Sequence, residues 1–250
     1  MSTEDKRTLV WGHRGASGYA PENTLDSFEK AIELDADGVE LDVQLTKDGE
    51  IVVIHDETVD RVSGAKGYVK DTNFDDIRKL DVSLPIKDYA KRTRIPTLEE
   101  VLNLIKGTKL TINIELKTGI FAYEGIEKKV IDLVNQKKMM DDIWFSSFNH
   151  ESVLRVKKIC SEAKCGLLIQ DIIVNPCAYL KGLNAGIEAL HPAIYHYGQD
   201  PLYIKKAKEA GLCTHIWTVN EREHMEMLCR EGVEAIITNY PDIAVEVVGK

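Results

Sequence analysis

The sequence predicts an α/β fold, a (β/α)8 TIM barrel with a small insertion after the second barrel strand. Three observations support it: a length of 250 residues, eight short apolar and β-branched runs, and amphipathic helical stretches between most of them. Eight such units are typical of a closed parallel barrel, although a doubly wound open sheet has the same periodicity. The predicted strands are residues 8–15, 38–46, 109–117, 142–148, 164–170, 188–193, 213–219 and 234–239.

The stretches between the strands show the spacing of apolar residues that is typical of amphipathic helices. Clear examples are residues 24–34, 123–136, 150–160, 201–210 and 221–230. Asn23 or Thr24 is suited to cap the first of these helices. The length would also fit two small domains, but no internal repeat or low-complexity linker divides the chain. We therefore expect one domain over residues 1–250.

One apolar run, at residues 51–56, does not fit the alternation. Only four residues separate it from the second strand, which is too short for a crossover to a parallel strand. Asp48 and Gly49 are typical of a two-residue type I′ turn, so residues 40–56 are predicted to form a hairpin. In that register Asp42 faces His55, and the two side chains lie on the same side of the ribbon.

The predicted insertion covers residues 57–96. This segment is polar, rich in Asp and Lys, and has only a short helical signal at residues 75–80. We expect it to cover one side of the face at which the strands end.

Composition and charge limit the classes of partner. The net charge is −9 and the isoelectric point is near 5.4, which argue against nucleic acid or an anionic membrane surface as the main partner. The first eight residues lack the apolar core of a signal peptide, and no apolar stretch is long enough to cross a membrane. Five cysteines without a CxxC pair are typical of reduced thiols. We expect a cytoplasmic protein without an integral membrane segment; the oligomeric state stays open.

Carboxylates are placed where barrel enzymes have their active sites, at the carboxyl ends of the strands. Glu40 and Asp42 are two residues apart on the second strand and therefore share one face, and Glu115 lies on the third strand. Converging carboxylates repel one another and lose hydration, so such a cluster usually holds a cation. Oxygen ligands favour Mg2+ or Ca2+ over zinc. The alternative is that Arg14 and Lys117 form structural ion pairs with them.

Two histidines follow apolar strands that lead to the same place. His13 precedes Gly15 at the end of the first strand, and His55 precedes Asp56 at the end of the hairpin. With ordinary pKa values near 6.5, the pair is suited to acid–base catalysis around neutral pH. Each histidine alone would more often be structural.

The expected charges favour an anionic ligand. A divalent cation, Arg14 and Lys117 together exceed the three carboxylates by one positive charge, which suits a monoanionic phosphodiester. Arg14 can bind two phosphate oxygens in a fork, whereas Lys117 acts as a point charge. Trp217, near the end of a later strand, is equally compatible with a substrate-pocket wall and with barrel packing.

The ordered set of motifs resembles the glycerophosphodiester phosphodiesterase family and covers nearly the whole chain. The matching residues are His13-Arg14-Gly15, Pro21-Glu22-Asn23-Thr24, Glu40-Leu41-Asp42-Val43, Lys47-Asp48-Gly49, His55-Asp56, Ile95-Pro96-Thr97-Leu98, Asn113-Ile114-Glu115-Leu116-Lys117, Trp217-Thr218-Val219-Asn220 and Thr238-Asn239-Tyr240-Pro241-Asp242.

The resemblance implies hydrolysis of a small-molecule glycerophosphodiester to glycerol 3-phosphate and an alcohol. It assigns one Mg2+ or Ca2+ to Glu40, Asp42 and Glu115, general acid and base roles to His13 and His55, and phosphate contacts to Arg14 and Lys117. Two alternatives stay open. One is a lysophospholipase D-like enzyme with an acyl-bearing substrate, and the other is a catalytically silent phosphodiester-binding barrel.

Overall fold

The computed structural model describes residues 7–250, and within them eight parallel strands close into a barrel with helices around it. The first strand pairs with both the second and the last, so the sheet has no open edge and the open-sheet alternative is wrong. All eight predicted strands are present. They are β1 (Leu9–His13), β2 (Gly38–Leu45), β4 (Thr111–Leu116), β5 (Ile143–Ser147), β6 (Lys164–Ile169), β7 (Ala189–Pro192), β8 (Cys213–Ile216) and β9 (Ala235–Thr238), and β3 (Ile51–Val53) lies outside the barrel.

Helices follow the strands as the amphipathic pattern predicts, and each of the five clear helical stretches contains one. In chain order the helices are α1 (Leu25–Glu33), α2 (Asp60–Ser63), α3 (Phe74–Ile77), α4 (Leu98–Ile105), α5 (Ile126–Lys137), α6 (His150–Ile159), α7 (Pro176–Gly182), α8 (Tyr195–Gln199), α9 (Tyr203–Glu209), α10 (Arg222–Arg230) and α11 (Pro241–Val247). Thr24, not Asn23, caps α1, because its hydroxyl accepts a hydrogen bond from the Ser27 amide.

Alternating residues of the strands divide between two environments. Outward-facing residues such as Val39, Leu41 and Ile114 are buried among the helices in the largest apolar cluster of the protein. Their neighbours Glu40 and Asp42 point into the barrel. Because two residues of the same parity share a face, the apolar packing of one set directs the polar set inward.

The register of the predicted hairpin is wrong by one residue. Val43 pairs with Val53 and Leu45 with Ile51, so the loop contains three residues, 47–49, instead of two. Gly49 adopts a left-handed conformation (φ 84°), and the Thr46 amide and hydroxyl both bond to the Glu50 backbone. The extra loop residue places Ile54, not His55, beside Asp42.

Residues 57–96 contain the short helices α2 and α3 and a 3-10 helix at Val69–Asp71, and apolar contacts hold them together. Val59, Val62, Val69 and Ile77 pack with one another and with Val52 of β3. The packing attaches the segment to the hairpin on the side of the barrel where the strands end. The single-domain organisation stays a prediction.

No helix within residues 7–250 has the length and apolar character needed to cross a bilayer. The predicted absence of a signal peptide rests on the first eight residues. Residues 1–6 of these lie outside the described part of the chain.

A pair of histidines fills the barrel interior below the carboxylates. His215 Nδ1 lies 2.8 Å from His191 Nε2, and the His215 ring packs between Trp11 and Trp144 at centroid distances of 4.6 and 4.7 Å. Burial lowers the pKa of His215 to about 3 and also lowers the pKa of His191, which the neighbouring His215 lowers further. Both rings are therefore neutral in the folded protein at neutral pH.

We expect this pair to make the folded protein sensitive to acid. Their folded-state pKa values lie below the unfolded value of 6.5, so the stability they contribute is complete above pH 6.5 and is lost as the pH falls further. The free energy of unfolding should fall by about 1.4 kcal/mol per pH unit for each histidine. Urea unfolding between pH 6.5 and 4.5 should show a correspondingly smaller slope for His215→Phe. The control His224→Gln, on an exposed face of α10, should keep the wild-type slope; an unchanged slope in His215→Phe would contradict the account.

Candidate active site

The carboxyl ends of the barrel strands surround a cavity of about 480 Å³. His13 ends β1, Glu40 lies in β2 and Glu115 in β4, and their side chains line this cavity together with His55 and Lys117. The predicted candidates are thus brought together. Asp42 lies just below the surface of the cavity and is 1% exposed.

Three of these residues form a compact cluster of carboxylates. Glu40, Asp42 and Glu115 each offer an oxygen, and the three oxygens lie within 4.8 Å of one another. Asp42 Oδ1 is buried and has no hydrogen-bond partner within the described residues. A buried oxygen without a partner is costly, and a cation would satisfy it. The donor set therefore fits a hard divalent ion such as Mg2+ or Ca2+.

The pKa values of the three carboxylates reflect their burial and the charges around them. Burial raises the pKa of Glu40 well above its ordinary value, and the charges of Asp42 and Glu115 raise it further. Burial also raises the pKa of Glu115, to about 7, against the opposing charge of Lys117. Burial opposes ionisation of Asp42 too, but Arg14, His55 and Lys117 outweigh it and lower its pKa. Only Asp42 is held firmly ionised by the protein itself.

Arg14 and Asn23 position the cluster through the backbone as well as the side chains. The Arg14 amide donates to Glu40 Oε2 (3.0 Å), and Asn23 Nδ2 donates to Asp42 Oδ2 (2.8 Å). Both residues have left-handed backbones, with φ 53° and 55°, and the Asn23 amide donates to the Arg14 carbonyl. The segment after β1 is therefore bent so that its polar atoms reach the carboxylates.

Arg14 and Lys117 both contact the carboxylates, as the ion-pair alternative predicts. Lys117 Nζ lies 2.9 Å from Glu115 Oε1 and 3.9 Å from Asp42 Oδ1, and Arg14 Nε lies 3.6 Å from Asp42 Oδ2. Burial lowers the pKa of Lys117, but Glu115 and Asp42 raise it more, so its ammonium stays charged. Both cations also line the cavity, where they are accessible to a ligand.

His13 is a partly buried histidine whose protonated ring nitrogen follows from its hydrogen bond. Its Nδ1 lies 2.7 Å from Asn239 Oδ1, which also accepts from the Ser17 hydroxyl. Since an amide oxygen can only accept, Nδ1 carries the proton and Nε2 is the basic nitrogen. Burial and the charge of Arg14 lower the pKa of His13 to about 4. The ring is neutral at neutral pH.

His55 reaches the cavity although the hairpin register differs from the prediction. After β3 the backbone leaves the regular strand, and the Gln44 side-chain amide donates to the carbonyls of Ile54, His55 and Asp56 at 2.7 to 3.0 Å. This irregular stretch turns the imidazole toward the carboxylates. Its Nδ1 lies 2.7 Å from Asp56 Oδ1, so a carboxylate orients the ring.

Arg61 and Glu22 were not among the predicted site residues, yet they connect the two halves of the site. Arg61, in α2, donates to Asp56 through Nε and to both oxygens of Glu22, each at 2.7 Å. Glu22 also accepts from Arg14 at 2.9 Å. The contacts run from Arg14 through Glu22, Arg61 and Asp56 to His55. The sequence contains no periodic signal for Arg61, and the motif around Glu22 is equally suited to the start of a helix.

An apolar wall forms the remaining side of the cavity. Trp217 packs edge-on against Phe148 with ring centroids 5.4 Å apart, and its Nε1 donates to the His191 carbonyl at 2.7 Å. Trp217 thus combines the two predicted possibilities, since it packs on the barrel and also lines the cavity. Ile120 stands at the mouth and is 69% exposed.

Comparison with known proteins shows the family of the chain. Residues 13–243 match the model of the glycerophosphoryl diester phosphodiesterase family. A glycerophosphodiester phosphodiesterase from Caldanaerobacter subterraneus is 43% identical over 98% of this chain and 99% of its own length. One from Bacillus subtilis is 33% identical over 95% of this chain and 85% of its own.

Solved structures agree with the sequence relatives. A phosphodiesterase from Oleispira antarctica, solved with the product sn-glycerol-3-phosphate, superposes with a TM-score of 0.88, 27% identity and 98% coverage of both chains. A glycerophosphodiester phosphodiesterase from Agrobacterium tumefaciens gives a TM-score of 0.82 at 27% identity, with 96% of this chain and 99% of that chain covered. The chain described here belongs to the glycerophosphoryl diester phosphodiesterase family.

Proposed function

We propose that the chain hydrolyses a small-molecule glycerophosphodiester to glycerol 3-phosphate and an alcohol, using one divalent cation and the His13–His55 pair. The observation that carries the proposal is the buried carboxylate cluster, in which Asp42 Oδ1 accepts no hydrogen bond from residues 7–250, beside two histidines that line the same cavity. Family membership and these residues argue against a catalytically silent barrel.

The proposed cation is held by Glu40, Asp42 and Glu115. When bound, it would stabilise negative charge on the phosphoryl oxygens. Arg14 and Lys117 would hold the other phosphate oxygens, because both guanidinium and ammonium groups line the cavity. The phosphodiester would then lie in the cavity that His13 and His55 also line.

The two histidines are prepared for different roles. His13 is neutral because burial lowers its pKa to about 4, so its Nε2 can take the proton from the attacking hydroxyl, whether that belongs to water or to the substrate glycerol. Asp56 faces Nδ1 of His55 and stabilises its imidazolium, so His55 can give a proton to the oxygen of the leaving alcohol. If water attacks, glycerol 3-phosphate forms directly, and His13 then loses its proton to solvent while His55 takes one up. If the glycerol hydroxyl attacks, the first product is a cyclic phosphate. Water then opens that ring, with His55 taking the proton of the water and His13 returning its proton to the glycerol oxygen, so both rings regain their starting forms.

A lysophospholipase D-like reaction, with an acyl-bearing substrate, stays the second candidate. The exposed Ile120 at the cavity mouth favours it, because an acyl chain needs an apolar surface beside the phosphate site. Cytoplasmic location and the identity of the cation also stay predictions.

Removal of the cation should abolish the reaction. We expect no release of glycerol 3-phosphate from glycerophosphocholine, glycerophosphoethanolamine or glycerophosphoglycerol in excess chelator, and recovery with Mg2+ or Ca2+. Glu115→Gln should need a higher ion concentration for half-maximal rate, whereas Glu33→Gln, on the outer helix α1, should match wild type. Undiminished activity in chelator would rule out the cation. Choline release from lysophosphatidylcholine in preference to glycerophosphocholine would favour the second candidate.

Removal of either histidine should slow turnover without removing the cation. His13→Ala and His55→Ala should lower kcat by about 10²–10⁴-fold, the usual contribution of a general acid or base. Mg2+ binding measured by calorimetry should stay near wild type, and His224→Ala should turn over normally. Near-normal kcat in His13→Ala or His55→Ala would refute the assigned role.

Arg61 should act by positioning Asp56 and, through it, His55. Arg61→Gln should lower kcat by about 10–100-fold, as is usual when a group that orients a functional side chain is lost, with a smaller change in KM. Arg61→Lys should recover part of the loss because it keeps the charge. Lys66→Gln breaks only an exposed ion pair with Asp60 in the same segment and is the matched control. A wild-type kcat in Arg61→Gln would show that the contact has no role in turnover.

A further inference from the structure

Glu57 is a cavity residue that the proposed mechanism does not use. It follows His55 and Asp56 directly, and its backbone carbonyl accepts a hydrogen bond from the Val69 amide at 2.9 Å. The residue is partly buried and lines the same cavity as His55 and Lys117. Its position is therefore fixed at the edge of the phosphate site.

The carboxylate of Glu57 has no hydrogen-bond or ion-pair partner within residues 7–250. Neighbouring groups that could pair with this carboxylate already have other partners. Lys117 contacts Glu115 at 2.9 Å, Lys70 contacts Asp71 at 2.7 Å, and the Tyr123 hydroxyl donates to Gln44 at 2.8 Å.

The charge balance of the site leaves Glu57 without compensation. One divalent cation, Arg14 and Lys117 exceed the charge of the carboxylate cluster by one, and a phosphodiester anion cancels that excess. The contacts of Arg61 do not help, because Arg61 faces two carboxylates, Glu22 and Asp56. With substrate bound, the Glu57 carboxylate thus lines the cavity without a charge partner among residues 7–250 and is available to a cation on the ligand.

We propose that Glu57 selects phosphodiesters whose leaving alcohol is cationic, such as an aminoalcohol or a quaternary ammonium alcohol. The inference rests on the proposed function, since it places the phosphate at the cluster. An ammonium on the alcohol supplies the missing charge beside the Glu57 carboxylate. A neutral alcohol such as glycerol leaves that carboxylate unpaired.

The test compares two substrates that differ in the charge of the alcohol. We measure kcat/KM of the metal-loaded enzyme for glycerophosphoethanolamine and glycerophosphoglycerol by release of glycerol 3-phosphate. A partly screened ion pair predicts that wild type prefers the cationic substrate by about tenfold. The ratio should fall to near one in Glu57→Gln, and the wild-type preference should shrink as salt is raised.

The matched control is Glu124→Gln, which removes the same charge from an exposed loop residue after β4 that does not line the cavity. It should keep the wild-type ratio. A wild-type enzyme without preference, or a Glu57→Gln variant that keeps the preference, overturns the role of Glu57 while leaving the proposed function intact. No glycerol 3-phosphate from either substrate overturns the proposed function itself and this inference with it.

Discussion

The repulsion among three buried carboxylates is the constraint on which the rest of the site depends. Parallel strands put Glu40, Asp42 and Glu115 within one small volume, where burial disfavours their charged forms. The barrel tolerates this because apolar side chains of the opposite parity anchor the same strands among the helices. Arg14 and Lys117 offset part of the charge, and the remainder is the reason why we propose that the cluster holds a divalent ion.

The candidate site is assembled from separate parts of the chain. His13 belongs to the barrel, whereas His55 lies in irregular backbone beyond the outer strand β3 and is oriented by Asp56. Arg61 donates hydrogen bonds to both Asp56 and Glu22, and Glu22 also accepts one from Arg14. The insertion therefore does more than cover the cavity, because its helix α2 carries the guanidinium that connects the two histidine-bearing segments.

Features that follow from the alternation of residues along a strand can be predicted from the sequence. Features that depend on the length of a single turn or on the reach of a long side chain cannot. The alternation in β2 and β4 predicts that Glu40, Asp42 and Glu115 meet, and they do. The turn at Asp48 and Gly49 is compatible with loops of two or three residues. The Thr46 amide donates to the Glu50 carbonyl and the Glu50 amide donates to the Thr46 hydroxyl, and these two hydrogen bonds favour the three-residue loop. Arg61 crosses between elements far apart in the chain, which no local pattern encodes.

The most direct test of the account is a calorimetric titration of the metal-free protein with Mg2+ and with Ca2+. The account predicts saturable binding of one ion per chain for at least one of the two, and loss of that binding in the double variant Glu40→Gln/Glu115→Gln. A parallel thermal melt should show that the variant is folded and that the ion raises the Tm of wild type alone. No binding to wild type at millimolar concentrations, or binding that the folded double variant retains, would contradict the claim that the carboxylate cluster is a cation site.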